Sequence, residues 1–152
     1  MNKLLSSTVV FLSLFTPLTG EENTQIREIL ITGNDAMQFD LKKFEAKPGE
    51  TIRLTFKNIG SLPKIAMGHN LVVLKKDVHA LSFGQKVLAS GGSASNPLPK
   101  SLLGDIIAHT NLLGPGESES ITFNTPNQSG EYEYVCTFPG HFAMMRGKMI
   151  VK

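Results

Sequence analysis

Thiol, imidazole and thioether side chains occur close together near the end of the chain. Cys136 is followed five residues later by His141, and Met145 lies four residues after that. The alternating segment 131–135 predicts a strand before Cys136, and Gly147 opens another strand. The three donors are therefore expected on one loop between two strands, which can hold the loop rigidly while its side chains converge.

A second imidazole is available from His69, which directly precedes the apolar run Asn70–Leu74. This run is a predicted strand, so His69 lies at a strand end. Two imidazoles, a thiolate and a weak axial thioether form the ligand set of type-1 (blue) copper sites. Zinc is less suited, because a thioether is not among its usual ligands. The pattern predicts one copper ion held by His69, Cys136, His141 and Met145, with no obvious room for a substrate, which favours electron transfer over catalysis.

Each donor has an ordinary explanation when it is taken alone. A free cysteine is more often a buried core residue than a ligand, and isolated histidines and methionines are usually structural. The combination at this loop spacing is improbable by chance. The other two histidines are assigned no ligand role: we expect His79 to be solvated in a crossover and His109 to lie at the surface or on an edge strand.

The first residues resemble a secretory signal. Lys3 supplies a positive start, and 4–15 is apolar or small throughout. This run is shorter than the roughly 20 residues of a membrane span and matches the length of signal-peptide cores. We predict a removable leader over 1–20, a single domain over 21–152 and export to the periplasm. A buried N-terminal strand or helix is the alternative, and Leu18 is not the small residue that a peptidase prefers three residues before its cleavage site.

The charge of the chain limits the classes of partner it can bind, and its cysteine content limits the state of the thiol. Loss of Lys3 with the leader lowers the formal net charge from +2 to +1, and no basic run suggests nucleic acid or an anionic membrane as a partner. Cys136 is the one cysteine of the chain. In an oxidising compartment a lone thiol must be buried, paired with another chain or bound to metal.

Short alternating runs separated by turn residues indicate the elements that position these donors. Thr51–Phe56 places Ile52, Leu54 and Phe56 on one face, and Asn70–Leu74 is continuously apolar, as in a strand buried on both faces. Further strands are predicted over 27–31, 118–125, 131–135 and 148–152. Many short strands at this spacing are typical of a β-sandwich or barrel. Residues 76–105 are predicted to form a long crossover with a short helix, whose apolar positions are Val78, Leu81, Val87 and Leu88.

Several motifs resemble the azurin family of bacterial blue-copper proteins, the cupredoxins, from about Ile29 to Lys152. They are the ligand loop C-T-F-P-G-H-x-A-x-M beginning at Cys136, M-G-H-N at 67–70, I-A-H-T at 107–110, G-N-D-A-M-Q-F at 33–39 and L-P-K at 62–64. The resemblance implies an all-β Greek-key sandwich of about eight strands with a short helical crossover flap. It also implies that the Gly68 carbonyl is a distant axial ligand and that Asn70 and the Phe138 N–H hydrogen-bond around the thiolate.

The same resemblance implies how electrons reach the metal. An exposed apolar patch around His141 is expected to meet redox proteins such as c-type cytochromes or reductases, with the protein acting as a monomer. Its expected members are Met37, Leu62, Met67, Phe138, Pro139 and Ala143. Two departures from the family pattern are the lack of a second and third cysteine for the usual disulfide and the lack of tryptophan, with Leu71 where azurins often bury one.

The sequence thus predicts a periplasmic electron carrier that is not an enzyme and has no membrane span after leader removal. A copper carrier or buffer without a dedicated electron-transfer role is the alternative, although such proteins usually have open, exchangeable sites. An oxidase or nitrite-reductase domain needs another metal centre, for which His79 and His109 are too few and too scattered. A metal-free adhesion sandwich leaves the four donors without an explanation.

Overall fold

Residues 25–152, the part of the chain that the computed structural model describes, form nine strands and two α-helices. The predicted leader over 1–20 lies outside the described residues. The strands are β1 (Arg27–Asn34), β2 (Gln38–Phe39), β3 (Lys43–Ala46), β4 (Thr51–Asn58), β5 (Val72–Leu74), β6 (Ile106–His109), β7 (Ser118–Asn124), β8 (Gly130–Val135) and β9 (Arg146–Val151). The helices are α1 (Lys64–Met67) and α2 (Ala80–Ala89), and short 3-10 helices cover Lys100–Asp105 and His141–Ala143.

The strands form two sheets that pack face to face. The first sheet has the order β2-β1-β4-β7, with β1 and β4 parallel, and the second has the order β3-β9-β8-β5-β6. Alternation in β4 places Ile52, Leu54 and Phe56 in the interior, as predicted, while the residues between them face outward. The expected two-sheet sandwich is confirmed.

Strand β5 lies between two hydrophobic cores. Leu71 and Val73 face the core between the sheets, whereas Val72 and Leu74 face a second, smaller core under helix α2. All four side chains are buried. The continuous apolar run was predicted to be a strand that is buried on both faces, and the structure confirms this.

The crossover contains the predicted helix, and its buried face includes residues other than the apolar positions named in the sequence. Helix α2 buries Ala80, Phe83, Gly84 and Val87, while Leu81 and Leu88 are exposed. The buried set follows the i, i+3, i+4, i+7 spacing of one helical face. Of the apolar positions that gave the weak helical spacing, Val87 is buried, Val78 lies before the helix, and Leu81 and Leu88 lie on its exposed side.

Local patterns located the long strands better than the short ones. Strand β1 continues past the predicted end at 31 to Asn34, because its parallel pairing with β4 extends to Gly33 opposite Asn58. Strands β2 and β3 were not predicted, since two to four residues carry little alternation. None of the helices within residues 25–152 has the length and apolar composition needed to span a bilayer.

Candidate metal centre

The loop that carries three of the four predicted donors is closed by pairing at its base. Strand β8 ends at Val135, which is paired with Arg146 of β9. The Cys136 N–H donates to the carbonyl of Met145 at 3.0 Å. The thiol and the thioether are therefore brought together at the two ends of one loop, as the sequence predicts.

Within this loop, backbone hydrogen bonds turn His141 toward the interior. Gly140 has a φ of 84°, a conformation that favours glycine, and the His141 N–H donates to the Phe138 carbonyl at 3.0 Å. The His141 carbonyl accepts from the N–H groups of Met144 at 3.0 Å and Met145 at 2.8 Å. The backbone positions of the imidazole and the thioether are thus coupled.

The second imidazole comes from the segment between α1 and β5. His69 and Leu113 exchange two backbone hydrogen bonds, of 3.0 Å and 2.7 Å, which fix the His69 backbone. The preceding Gly68 is buried, and a Cβ there would lie 2.6 Å from the Lys64 carbonyl oxygen and 2.9 Å from the Leu112 side chain. Only glycine fits this position without a shift of the backbone.

The three strongest donors converge in the interior. His69 Nδ1 lies 3.1 Å from His141 Nδ1, and Cys136 Sγ lies 4.0 Å from the first nitrogen and 3.7 Å from the second. Cys136 and His69 have no exposed surface, and His141 is 3% exposed. One sulfur and two ring nitrogens therefore face a common point. The second ring nitrogen of His69, Nε2, is buried and has no hydrogen bond of normal geometry.

Burial sets the protonation of all three donors. It lowers the pKa of His141 to about 4, with a smaller contribution from His69, and it lowers the pKa of His69, where the Asn34 carbonyl and Asp35 carboxylate oppose the effect. Burial also raises the pKa of the Cys136 thiol to about 12, although the backbone N–H groups of Asn70 and Phe138 favour the thiolate. The imidazoles are neutral at pH 7, and a bound cation is needed to stabilise the thiolate.

This donor set fits a copper ion. Neutral imidazole nitrogens and a sulfur suit both oxidation states of copper, and a buried cation compensates the charge of a thiolate that burial otherwise disfavours. Met145 is fully buried beside Gly33 of β1, where a Cβ would lie 2.5 Å from the Met145 Cε methyl carbon. The sequence motif that contains Gly33 was recognised, but the space that this glycine leaves for the thioether was not.

A buried amide connects the two segments that carry the donors. Asn70 Nδ2 donates to Thr137 Oγ1 at 2.8 Å, and Asn70 Oδ1 accepts from the Thr137 N–H at 2.8 Å. The backbone N–H of Asn70, rather than its side chain, acts on the thiol. Asn70 was thus expected beside the thiolate correctly, but the hydrogen bonds of its side chain to Thr137 were not predicted.

The expected apolar patch is only partly exposed. Leu62 and Ala143 are exposed, and Met37, Met67 and Pro139 are half-buried. Phe138 was assigned to the patch incorrectly: it is buried in the core and its ring lies 4.6 Å from the His141 ring, centroid to centroid. His79 and His109 are both exposed, as predicted.

Comparisons with known proteins agree with this site. The family model described as copper binding proteins, plastocyanin/azurin family, matches residues 27–152. Azurin-2 of Alcaligenes xylosoxydans xylosoxydans is 40% identical over 127 residues, which cover 80% of this chain and 95% of that protein.

Two solved structures are similar in both sequence and fold. Reduced auracyanin of Roseiflexus castenholzii matches with a TM-score of 0.69 and 34% identity, covering 82% of this chain and 96% of that one. Auracyanin A of Chloroflexus aurantiacus, described as a "blue" copper protein, matches with a TM-score of 0.71 and 29% identity, covering 84% and 100%.

Proposed function

Since this chain belongs to the plastocyanin/azurin family of copper-binding proteins and is a blue-copper electron carrier, we propose the following roles for its residues. His69, Cys136 and His141 would hold the metal, and Met145 and the Gly68 carbonyl would be weaker ligands. The observation that carries the proposal is the convergence of one thiol and two neutral imidazoles in the interior. When bound, copper supplies a Cu(II)/Cu(I) couple that accepts or donates one electron.

The surrounding residues hold the donors in one arrangement. The Asn70–Thr137 hydrogen bonds join the His69 segment to the ligand loop, and the Cys136–Met145 backbone bond closes that loop. The backbone N–H groups of Asn70 and Phe138 stabilise negative charge on sulfur. Donors fixed in this way move little when the charge of the site changes, which favours fast electron transfer.

Partners are proposed to dock where the ligand loop reaches the surface. His141 is almost covered, and we propose that an apolar rim lies beside it. Its members are the residues of the expected patch that are exposed or half-buried, Met37, Leu62, Met67, Pro139 and Ala143. Such a rim suits transient contact with redox proteins such as c-type cytochromes or reductases. We also propose that residues 1–20 are a leader, that 21–152 form the exported periplasmic domain, and that it acts as a monomer without catalysing a reaction of its own.

A copper carrier or buffer role is not favoured. Exchange of metal between proteins needs donors that a second protein can reach, whereas Cys136 and His69 have no exposed surface. A slow loss of copper together with fast electron self-exchange supports the electron carrier. Rapid copper transfer to an external chelator contradicts it.

The test is a titration of the mature domain with Cu(II), followed by visible absorption. One equivalent of Cu(II) is expected to give an intense blue charge-transfer band from the thiolate, and Cys136→Ser is expected to fold without that colour. Met144→Leu is the matched control in the same loop, because Met144 is exposed, and it should stay blue. A blue Cys136→Ser protein would show that the donor is another group.

A further inference from the structure

Phe142 connects the ligand loop to the second hydrophobic core. Its ring is buried with residues of α2, β5, β6 and β8, whereas Cys136 and Met145 belong to the core between the sheets. The members of this second core are Val72, Leu74, Ala80, Phe83, Val87, Ile106, Val135 and Phe142. Phe142 directly follows His141 in the chain. The position of its ring therefore bears directly on the position of the neighbouring imidazole.

Gly84 of α2 provides the space in which this ring lies. A Cβ at Gly84 would overlap Phe142 Cγ and would lie 2.5 Å from both Cβ and Cδ1 of the same side chain. Gly84 is not among the glycines with positive φ. Glycine is a poor residue for a helix interior, and the backbone here does not require it. Its reason is steric: the missing side chain lets the helix approach the ring.

Helix α2 is itself attached to the strand that leads to Cys136. The Ala80 N–H, at the first turn of the helix, donates to Glu133 Oε2 of β8 at 2.7 Å. Glu133 Oε1 also lies 3.4 Å from His79 Nδ1. Because β8 ends at Val135, the helix has a fixed position relative to Cys136.

We propose that Phe142, packed against Gly84 of α2, is a positioning residue that fixes His141 relative to Cys136. Cys136 is connected to α2 along β8 and through the Glu133 hydrogen bond to Ala80. Gly84 of α2 is in turn connected to His141 through Phe142. A displacement of Phe142 also reaches Met145, since the His141 carbonyl accepts the Met145 N–H at 2.8 Å. This proposal rests on His141 being a copper ligand, as proposed above.

The test compares Gly84→Ala in two backgrounds, the natural one and Phe142→Ala. In the natural background the added methyl pushes the ring, so we expect a shifted charge-transfer band, a shifted reduction potential and copper release to a chelator about tenfold faster, on the scale of changes around metal ligands. In the Phe142→Ala background the added methyl meets no ring, and Gly84→Ala is expected to change nothing further. Such non-additivity is the signature of a direct contact.

Two controls separate positioning from general loss of stability. Val87→Ala removes buried side chain from the same helix and the same core, and it should lower the unfolding temperature while leaving the band and the potential unchanged. Gly104→Ala adds a methyl where no atom lies within 4 Å, and it should change neither the charge-transfer band nor the reduction potential. If Phe142→Ala folds poorly, Phe142→Leu replaces it as the second background, because leucine fills more of the core than alanine. In the metal-free protein, the His141 ring resonances should shift in Gly84→Ala and stay unchanged in Val87→Ala.

The proposal is overturned if Gly84→Ala leaves the band, the potential and the release rate unchanged. It is equally overturned if Val87→Ala shifts the band and potential as much, or if the effect of Gly84→Ala is the same in both backgrounds. Failure of the proposed ligand roles gives a different result, because the natural protein then lacks the blue band that Cys136→Ser is expected to remove.

Discussion

Replacement of Asn70 by alanine tests the connection between the two halves of the metal site. The Asn70 side chain makes two buried hydrogen bonds to Thr137, each 2.8 Å long. A hydrogen bond of this kind contributes about 1 kcal/mol net, and a buried group left without a partner costs a further ~1–3 kcal/mol. Because the Thr137 N–H is left in the interior, we expect Asn70→Ala to lower the free energy of unfolding by about 3 kcal/mol.

The assay is thermal unfolding of the metal-free protein, followed by circular dichroism. For a domain of this size a loss of about 3 kcal/mol corresponds to a decrease in Tm of roughly 10 °C. Asn96→Ala is the matched control, because Asn96 is exposed and surface substitutions change stability by about 0.5 kcal/mol or less.

The copper-loaded protein gives a second measurement of the same change. The backbone N–H of Asn70 remains in the variant, so the blue colour should persist, while copper release to a chelator should become at least about tenfold faster. A decrease in Tm of less than about 3 °C in the metal-free variant would refute the reasoning, since it would mean that the amide does not hold the two segments together.

Three further results are expected. Met145→Leu should raise the reduction potential measured by voltammetry, because the thioether stabilises Cu(II) more than Cu(I), and an unchanged or lower potential would contradict an axial role. Met67→Lys should slow electron self-exchange, measured by NMR, by about tenfold through like-charge repulsion at the rim, whereas Leu30→Lys on the exposed face of β1 should not. The pKa of His69 is lowered and that of His141 lowered to about 4, from an ordinary value of 6.5. In the metal-free protein, the unfolded state therefore binds more protons than the folded state. The free energy of unfolding, measured by denaturant titration at each pH, should be highest above pH 6.5 and decrease as the pH falls toward 4. An unfolding free energy that did not change over this range would show that the rings are not buried.

The donors of the site could be predicted from sequence because three of them share one short loop. Cys136, His141 and Met145 have a spacing that local pattern alone displays, and His69 follows from the strand end at which it lies. The sandwich could also be predicted from sequence, because long strands such as β4 alternate apolar and polar residues.

The supporting contacts could not be predicted, because their partners are distant in sequence. Nothing in the local pattern relates Asn70 to Thr137 or Gly84 to Phe142, and these pairs meet only after the sheets and the crossover have packed. The same reason explains the error at Phe138, whose burial depends on the core beneath it. The buried face of α2 could not be predicted either, because Gly84 lies inside for a steric reason that hydrophobicity does not show.

The burial of Cys136 has a consequence for the time before the metal arrives. Burial raises the pKa of its thiol well above the ordinary value, so the thiol stays protonated at pH 7. The thiolate is the form that attacks disulfides and reacts with peroxide, and here it is both scarce and without exposed surface. A newly folded chain can therefore wait for copper in oxidising surroundings without crosslinking to other proteins. The low-dielectric packing that makes the metal necessary for ionisation also preserves the sulfur until the metal binds.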